Sequence, residues 1–464
     1  MKRILVISLI LAACATVPPA AAPPPPVAPA AVPRIAVERD TLPNGLTVIL
    51  HQDHSTPIVA VNVWYKVGSG DELPGRTGFA HLFEHIMFMG SENVPVGEFD
   101  RLLEAAGADN NGSTTEDRTN YFEVMPSNAL PLALWLEADR MGFLLPTLDQ
   151  SKLDIQRDVV QNERRQRYDN APYGRASEVI GAALFPADHP YSWPVIGSLA
   201  DLSAASLEDV HAFFRRYYAP NNASIVIAGD FQRDSAMAWV RRYFGDIPRG
   251  PAIERRTTVP PVRLQRDTFL VLEDRVQLPR VYYAWHTVPA FHEDDAALDV
   301  LAGVLTSGNS SRLHQKLVYE LQVAQSVSSF QASGKLDGWF MVNVLPRPNN
   351  APADIARLTT TEIERIARDG ITERELERVQ NSLRSSFLNN LASVLGKADQ
   401  LNFYNYFVGN PDYVQQDAAR YDRVTRADVQ RAATRYLGAP KVVLTVVPTG
   451  QSEMMVISAG GNTQ

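Results

Sequence analysis

One helix-and-strand pattern occurs twice in this chain, at residues 206–229 and at residues 425–447. An aspartate, a valine and a tyrosine stand at the same offsets in both copies: Asp209, Val210 and Tyr217 in the first, Asp428, Val429 and Tyr436 in the second. Upstream, the strand-like segment 57–67 has a counterpart at 279–289, and a helical pattern follows each. The repeat therefore predicts that two copies of one α+β unit make the body of the protein.

The length of the chain also favours two domains. At 464 residues and 51.3 kDa it is too long for one ordinary hydrophobic core. We place the first domain at 38–247, a Pro- and Arg-rich connection at 248–267, the second domain at 268–450 and a tail at 451–464. The net charge of -8 and the pI of about 5.7 give no reason to expect a nucleic-acid partner.

The first residues have the pattern of an exported lipoprotein. A short basic start precedes an apolar run, and residues 11–14 (Leu-Ala-Ala-Cys) match a bacterial lipoprotein signal. We expect a signal peptide at 1–13 and a lipid on Cys14, whereas the alternative is an ordinary secretory signal. The Ala/Pro-rich composition of 14–37 predicts an extended spacer that holds the domains away from a membrane. Because Ala15 follows the cysteine, we expect an outer-membrane anchor with the domains in the periplasm.

Local patterns place further strands and helices. Residues rich in β-branched and aromatic side chains predict strands at 45–50 and 58–65. Helical periodicity is present at 96–107, 127–145 and 148–168 in the first half, and near 294–306, 312–322, 353–369 and 372–407 in the second. Ser127 is the predicted N-cap of its helix. Residues 110–115 predict a polar turn that leads into a strand.

The segment 78–90 carries the candidate chemistry. It places His81, Glu84 and His85 among apolar residues, and a helix puts histidines four apart on one face. Apolar surroundings penalise such groups unless something satisfies them, and zinc accepts neutral imidazole and carboxylate ligands. The order H-x-x-E-H is the inverzincin signature. It predicts a zinc site at which Glu84 acts on the attacking water, while the alternative is a pair of core or surface histidines.

With this motif and the features below, the chain resembles the pitrilysin/insulinase family of zinc metallopeptidases, in particular smaller members such as mitochondrial processing peptidase. The resemblance extends over residues 38–450. It implies an α+β fold of two homologous domains, each with a mostly antiparallel sheet packed with helices, that form one half of a clamshell. It also implies one Zn2+ per chain and peptide substrates that are extended or unfolded.

A third zinc ligand is expected on the helix predicted at 148–168. Ile155 and Val159 define an inward stripe there, and Glu163 is the next position on it. By itself, such a glutamate lies either at the edge of the core or beside a positive group inside. Family members place their third ligand on a glutamate at a similar distance after the second histidine, and Glu163 stands 78 residues after His85. The resemblance thus assigns this role to Glu163.

The same resemblance points to a substrate strand. Where the family binds its substrate, this chain has Asn111, Gly112, Ser113 and Thr114. An extended peptide would add to a sheet edge there through main-chain hydrogen bonds. The alternative is a β-hairpin that does not contact a ligand.

The second repeat departs from the family pattern. Where the first repeat has its motif, the second has residues 300–304 (Val-Leu-Ala-Gly-Val), without any metal ligand. Active single-chain relatives also carry an Arg and a Tyr in this half that help to hold the substrate and its oxyanion. Those two positions are Val318 and Gln325 here, and Arg312 and Tyr319 are out of register with the family pair. We therefore expect a homologous partner subunit that supplies the missing pair.

These observations favour a zinc metalloendopeptidase, the catalytic subunit of a heterodimer. The main alternative is a non-catalytic scaffold or assembly subunit of the same fold. A binding module presented on the outer membrane is a third option. Retention of His81, Glu84 and His85 argues against the scaffold, because a scaffold has no reason to keep these groups together in an apolar segment.

Overall fold

The computed structural model describes residues 31–457 of the chain. The predicted signal peptide, Cys14 and most of the Ala/Pro-rich spacer lie outside the described residues, as does the end of the tail. Among residues 31–457, no helix combines the length and the apolarity that a membrane crossing requires.

Two sheets of the same design organise the described part. The first has the strand order β1-β2-β6-β3-β5-β4 and the second has the order β7-β11-β8-β10-β9. The pair β2 and β6 is parallel, as is the pair β7 and β11, and the other pairs are antiparallel. The strands are β1 (Glu38–Thr41), β2 (Thr47–Gln52), β3 (Ile58–Tyr65), β4 (Asp109–Thr114), β5 (Thr119–Pro126), β6 (Ala223–Gly229), β7 (Thr268–Asp274), β8 (Arg280–His286), β9 (Ala324–Ser333), β10 (Gly338–Pro346) and β11 (Val442–Pro448).

Helices pack on both sheets. They are α1 (Phe79–Ile86), α2 (Glu98–Ala105), α3 (Leu130–Phe143), α4 (Gln150–Arg164), α5 (Ala176–Leu184), α6 (Leu199–Ala204), α7 (Leu207–Tyr217), α8 (Arg233–Phe244), α9 (Asp295–Thr306), α10 (Pro352–Asp369), α11 (Glu373–Leu391), α12 (Val394–Phe407), α13 (Val414–Asp422) and α14 (Arg426–Ala432). Wider π-helical turns follow α4 at Arg165–Asp169 and α14 at Ala433–Leu437, and another occupies His314–Glu320.

The repeated aspartates of the sequence are helix caps. In the first copy, Ser206 Oγ accepts a hydrogen bond from the N–H of Asp209, whose carboxylate accepts one from the N–H of Ser206. Thr425 and Asp428 form the same reciprocal pair in the second copy. Each capping box starts a helix that leads into an interior strand of its sheet, β6 or β11.

Each half of the chain covers the sheet of the other half. Helix α12, from the second half, packs Ala398 and Leu401 against Ile49 and Val226 of the first sheet. Helix α5, from the first half, packs against the second sheet, with Ile180 and Leu184 in one cluster with Tyr282, Ala284 and Leu444. Central strands such as β6 are therefore buried along their whole length. The exchange of helices fuses the two halves into one body.

The packed chain begins before Glu38. Ile35 is buried in the same cluster as α12, and the ring of His51 hydrogen bonds with the carbonyl of Ala36 at 2.8 Å. The last residues of the predicted spacer thus contact the first sheet.

Two predicted helices differ in the structure. The helix expected at 372–407 is divided into α11 and α12, because the hydroxyl of Ser393 accepts a hydrogen bond from the N–H of Gly396 and starts a new helix. Ser127 is not an N-cap: its hydroxyl donates to Asp230, a 3-10 turn spans Ser127–Ala129, and α3 begins at Leu130.

Candidate metal centre

The start of α1 is fixed by a buried carboxylate. Gly78 precedes the helix with φ = 89°, a left-handed conformation that glycine adopts without strain. Glu72 accepts hydrogen bonds from the N–H of Gly78 at 2.9 Å and of Ala80 at 2.8 Å. It thereby satisfies two of the donors that a helix start leaves free. No sequence pattern identified Glu72, because it stands outside the usual capping positions.

The two histidines of α1 point to the same side. The ring centroids of His81 and His85 are 4.8 Å apart. On the opposite side of the helix, Phe83 stacks on Phe213 at 5.1 Å and lies against Tyr218. These aromatic contacts bury one face of α1 and leave the imidazoles on the face that meets α4.

Glu163 comes from α4 to meet both histidines. Its Oε2 atom lies 3.8 Å from Nε2 of His81 and 3.2 Å from Nε2 of His85. One possible ligand atom from each of the three residues falls within 4.8 Å of the others. Within residues 31–457, this is the one group of three or more His, Cys, Asp or Glu side chains that could hold a metal ion.

The inward stripe predicted on α4 from Ile155 and Val159 is wrong. Ile155 and Val159 are 50% and 42% exposed, whereas Leu153, Val160 and Arg164 are buried. The buried face of α4 therefore runs along the second set of residues. Glu163 is adjacent to Arg164 on the helix and reaches the histidines from the border of that face.

Charged contacts orient the end of α4. Oε1 of Glu163 pairs with Arg167 at 2.6 Å, which leaves Oε2 towards the histidines. The neighbouring Arg164 donates to the carbonyl of Gly197 at 2.8 Å and to both carboxylate oxygens of Glu178 at 3.0 Å. Gly197 in turn packs so closely on Gly78 that a side chain would not fit. Arg164 therefore ties α4 to the start of α1.

The donor set fits a zinc ion. Burial, reinforced by the charge of His85, lowers the pKa of His81 to about 4, so its imidazole is neutral near pH 7, as a metal ligand must be. The 3.8 Å between Nε2 of His81 and Oε2 of Glu163 is too long for a hydrogen bond, which leaves space for an ion between these two atoms. Ligand atoms bonded tetrahedrally to zinc at about 2.0–2.2 Å lie about 3.3–3.5 Å apart, close to the separations from Glu163.

Glu84 lies beside the three candidate ligands. Its Oε2 accepts a hydrogen bond from the hydroxyl of Thr114 at 2.6 Å. A side chain at Gly112 would lie 3.1 Å from Cγ of Glu84, so β4 packs directly on this residue. Burial raises the pKa of the Glu84 carboxyl, which makes it a better proton acceptor than an exposed glutamate.

The predicted substrate residues form a strand rather than a polar turn. Residues 110–115 were expected to turn, but Asp109–Thr114 is β4, at the edge of the first sheet with β5 as its one neighbour. Side chains alternate along a strand, and Gly112 and Thr114 share the side that meets Glu84. Asn111 is exposed, and Ser113 bonds with Asn120 and Arg118. The outer edge of β4 offers backbone groups for a further strand.

The second half places other side chains at the corresponding positions. Residues 300–304 lie in α9 and are buried in an apolar core. Val318 packs against the same core and Gln325 is exposed on β9. Arg312 is bound to Glu375 at 2.6 Å, and Tyr319 is 70% exposed.

Family models match both halves of the chain. Residues 47–188 match insulinase (peptidase family M16), and residues 204–383 match the peptidase M16 inactive domain. The first match includes the three candidate ligands and Glu84. The second match covers most of the strands of the second sheet, whose half of the chain carries no candidate metal ligand.

Curated and solved relatives extend over nearly the whole chain. The chain is 30% identical over 406 residues to the zinc protease PqqE of Helicobacter pylori, covering 86% of this chain and 90% of that protein. The crystal structure of a protease from Helicobacter pylori has a TM-score of 0.82 at 27% identity, with 89% of this chain and 100% of that chain covered. The periplasmic protease PqqL from Escherichia coli shares the fold, with a TM-score of 0.74 at 19% identity, covering 93% of this chain and 50% of that chain.

Sequence identity and three-dimensional likeness lead to the same family. The two α+β domains predicted from the repeat are confirmed, and so is the resemblance drawn from the motif. The chain belongs to the insulinase family of peptidases, peptidase family M16.

Proposed function

We propose that this chain is a zinc-dependent endopeptidase that hydrolyses extended or unfolded peptides. The observation that carries the proposal is the convergence of His81, His85 and Glu163, whose ligand atoms lie within 4.8 Å of one another beside Glu84. Relatives that are named zinc proteases support the same function. A scaffold would have no use for this arrangement, since it holds two imidazoles and a carboxylate together in largely buried surroundings.

The residues of the chain divide the work of the reaction. Zinc, held by His81, His85 and Glu163, would polarise the peptide carbonyl and lower the pKa of water. Glu84 takes the proton of the attacking water and gives it to the leaving amine. Thr114 holds Oε2 of Glu84 by its hydroxyl, which leaves Oε1 for this proton.

The edge of β4 accounts for extended substrates. A peptide that adds to β4 as a further strand forms main-chain hydrogen bonds, which select for an unfolded backbone more than for particular side chains. Because Thr114 and Gly112 contact Glu84, a peptide aligned on β4 is also aligned on the proton acceptor.

The metal content of the purified chain tests the site. We expect one zinc per chain by elemental analysis, and loss of it on His81→Ala, His85→Ala or Glu163→Ala, because each change removes one of three protein ligands. His54→Ala is the matched control, since His54 is half exposed and pairs with Asp230 away from the site. Zinc retained by all three ligand variants would contradict the proposal.

Replacement of Glu84 tests the proton acceptor. Glu84→Gln keeps the shape and the hydrogen bond from Thr114 but cannot take a proton, so we expect unchanged zinc content and a fall in kcat of about 10²–10⁴-fold. Cleavage of an internally quenched peptide measures this fall. Glu104→Gln, an exposed change on α2, serves as the control. A scaffold function would be favoured if the parent bound zinc and cleaved no peptide under any condition, including with a homologous partner.

A homologous partner completes the proposed enzyme. This chain has Val318 and Gln325 where active single-chain relatives carry the Arg and Tyr, and Arg312 is engaged with Glu375. This chain covers only 50% of the periplasmic protease PqqL from Escherichia coli, so that relative is long enough to contain two units of this size. We therefore assign the missing pair to a second subunit that lacks the H-x-x-E-H motif.

Reconstitution tests the partner. We expect slow peptide cleavage by the chain alone and an increase of at least about 10-fold on addition of a homologue that carries the Arg/Tyr pair, because oxyanion stabilisation of this kind contributes about that much or more. Glu84→Gln mixed with the same partner is the control and should remain inactive. Full activity of the chain alone would refute the heterodimer.

The proposed location is the periplasmic side of the outer membrane, with the anchor on Cys14. The support is the lipoprotein pattern of residues 11–14 and the Ala/Pro-rich stretch that follows. We expect Cys14→Ser to move the protein from the membrane fraction to the soluble periplasmic fraction. Recovery of the unchanged protein from the cytoplasm would contradict the location.

A further inference from the structure

The hairpin that carries Thr114 is held at its tip by the second half of the chain. Among the strands of residues 31–457, β4 has β5 as its one neighbour, so its position depends on what fixes the β4–β5 turn. The turn spans 115–118, where the N–H of Thr115 donates to the carbonyl of Arg118 at 2.8 Å. Asp117 lies in this turn and is the residue that the second half reaches.

Asp117 accepts two hydrogen bonds, one with each carboxylate oxygen. Oδ1 accepts from the hydroxyl of Tyr191 at 2.6 Å, and Oδ2 accepts from the N–H of Lys335 at 2.8 Å. The hydroxyl of Tyr191 also accepts from the N–H of Leu336 at 3.0 Å. Lys335 and Leu336 belong to the turn between β9 and β10, so one carboxylate joins the hairpin turns of the two sheets.

The turn of the second half is itself firmly placed. A side chain at Gly334 would lie 2.5 Å from the hydroxyl of Tyr191, so the two pack in direct contact. The ammonium group of Lys335 donates to the carbonyl of Tyr406 at 2.8 Å and lies 3.9 Å from the centre of that ring. Tyr406 is on α12, the helix that covers the first sheet. The contact to Asp117 therefore starts from a rigid support.

A short chain of contacts leads from Asp117 to Glu84. Within the hairpin, Arg118 donates to the carbonyl and the hydroxyl of Ser113, at 2.8 and 2.7 Å, and so connects the turn to the end of β4. Thr114, the next residue, donates to Glu84 at 2.6 Å. The first half also holds the turn, through the N–H groups of Ser69 and Gly70. The second half adds the link through Asp117 described above.

We propose that Asp117 and Tyr191 are positioning residues through which the half without metal ligands sets the orientation of Glu84. This inference rests on the proposed function, because it assigns Glu84 the proton transfer. It gives the second half a role in the reaction although that half contributes no ligand. The expected consequence is a change in kcat rather than in zinc binding, since the link ends on Glu84 and not on His81, His85 or Glu163.

Kinetics of Asp117→Ala test the role. We expect kcat for an internally quenched peptide to fall about 10-fold or more, with KM and zinc content nearly unchanged, because small misplacements of a reacting group are costly. Tyr191→Phe keeps the ring against Gly334 and removes the hydroxyl, so it should give a smaller fall in the same direction, and it serves if Asp117→Ala fails to fold. Asp267→Ala is the matched control: Asp267 accepts from the N–H of Lys441 and pairs with its ammonium group at 2.8 Å, away from the hairpin.

A double-mutant cycle tests the route. Thr114→Val removes the hydroxyl that Glu84 accepts from and keeps the shape of the side chain. If Asp117 acts through Thr114, Asp117→Ala should change kcat less than about 2-fold in the Thr114→Val background. Effects that multiply independently would overturn the route, and rescue by Thr114→Ser would support it.

Hydrogen exchange of the metal-free protein gives a readout that does not depend on activity. We expect backbone amides of residues 109–126 to exchange faster in Asp117→Ala than in the parent or in Asp267→Ala, while those of α1 remain unchanged. Unchanged exchange in the hairpin would overturn the proposal. A parent that binds no zinc and cleaves no peptide would instead overturn the proposed function, whereas an active parent with an additive cycle would overturn this inference alone.

Discussion

The contact between α1 and α4 is the interaction on which the candidate site depends. It brings together the imidazoles of His81 and His85 and the carboxylate of Glu163, which stands 78 residues after His85 in the chain. The contact is kept by groups that are not themselves candidate ligands. Glu72 fixes the start of α1, and Arg164 connects α4 to the loop packed on that start.

The exchange of α5 and α12 explains why the half without ligands cannot be separated from the site. Helix α12 covers one face of the first sheet, so removal of the second half would expose residues such as Ile49, Ala60 and Val226 to water. The same helix carries Tyr406, which supports the turn that meets Asp117. Helix α12 therefore both buries the first sheet and supports the turn that contacts Asp117. This arrangement makes the second half necessary to the fold, although it contributes no candidate metal ligand.

Local sequence patterns predicted the residues of the candidate site better than the contacts that support them. The motif fixed the spacing of His81 and His85, and the repeat predicted the two sheets, since both depend on local order in the chain. The inward stripe that pointed to Glu163 does not exist in the structure. Ile155 and Val159 have the spacing of a buried face, yet another face of α4 is buried, and only the packing partner decides between them. Glu72, Arg164 and Asp117 had no local signal, because each acts on a segment that is distant in the chain.

The corresponding helices of the two halves show how the two copies diverged. Helix α9 follows β8 as α1 follows β3, and where α1 has its motif α9 has residues 300–304, with Val300 and Val304 fully buried. Apolar side chains there fill a core and need no partner, whereas buried polar groups such as those of α1 are penalised unless something satisfies them. The carboxylate that faces the imidazoles of α1 comes from another helix, α4, through Glu163. The structure thus places the candidate metal ligands in the first half, whereas the second half contacts the hairpin that packs on Glu84.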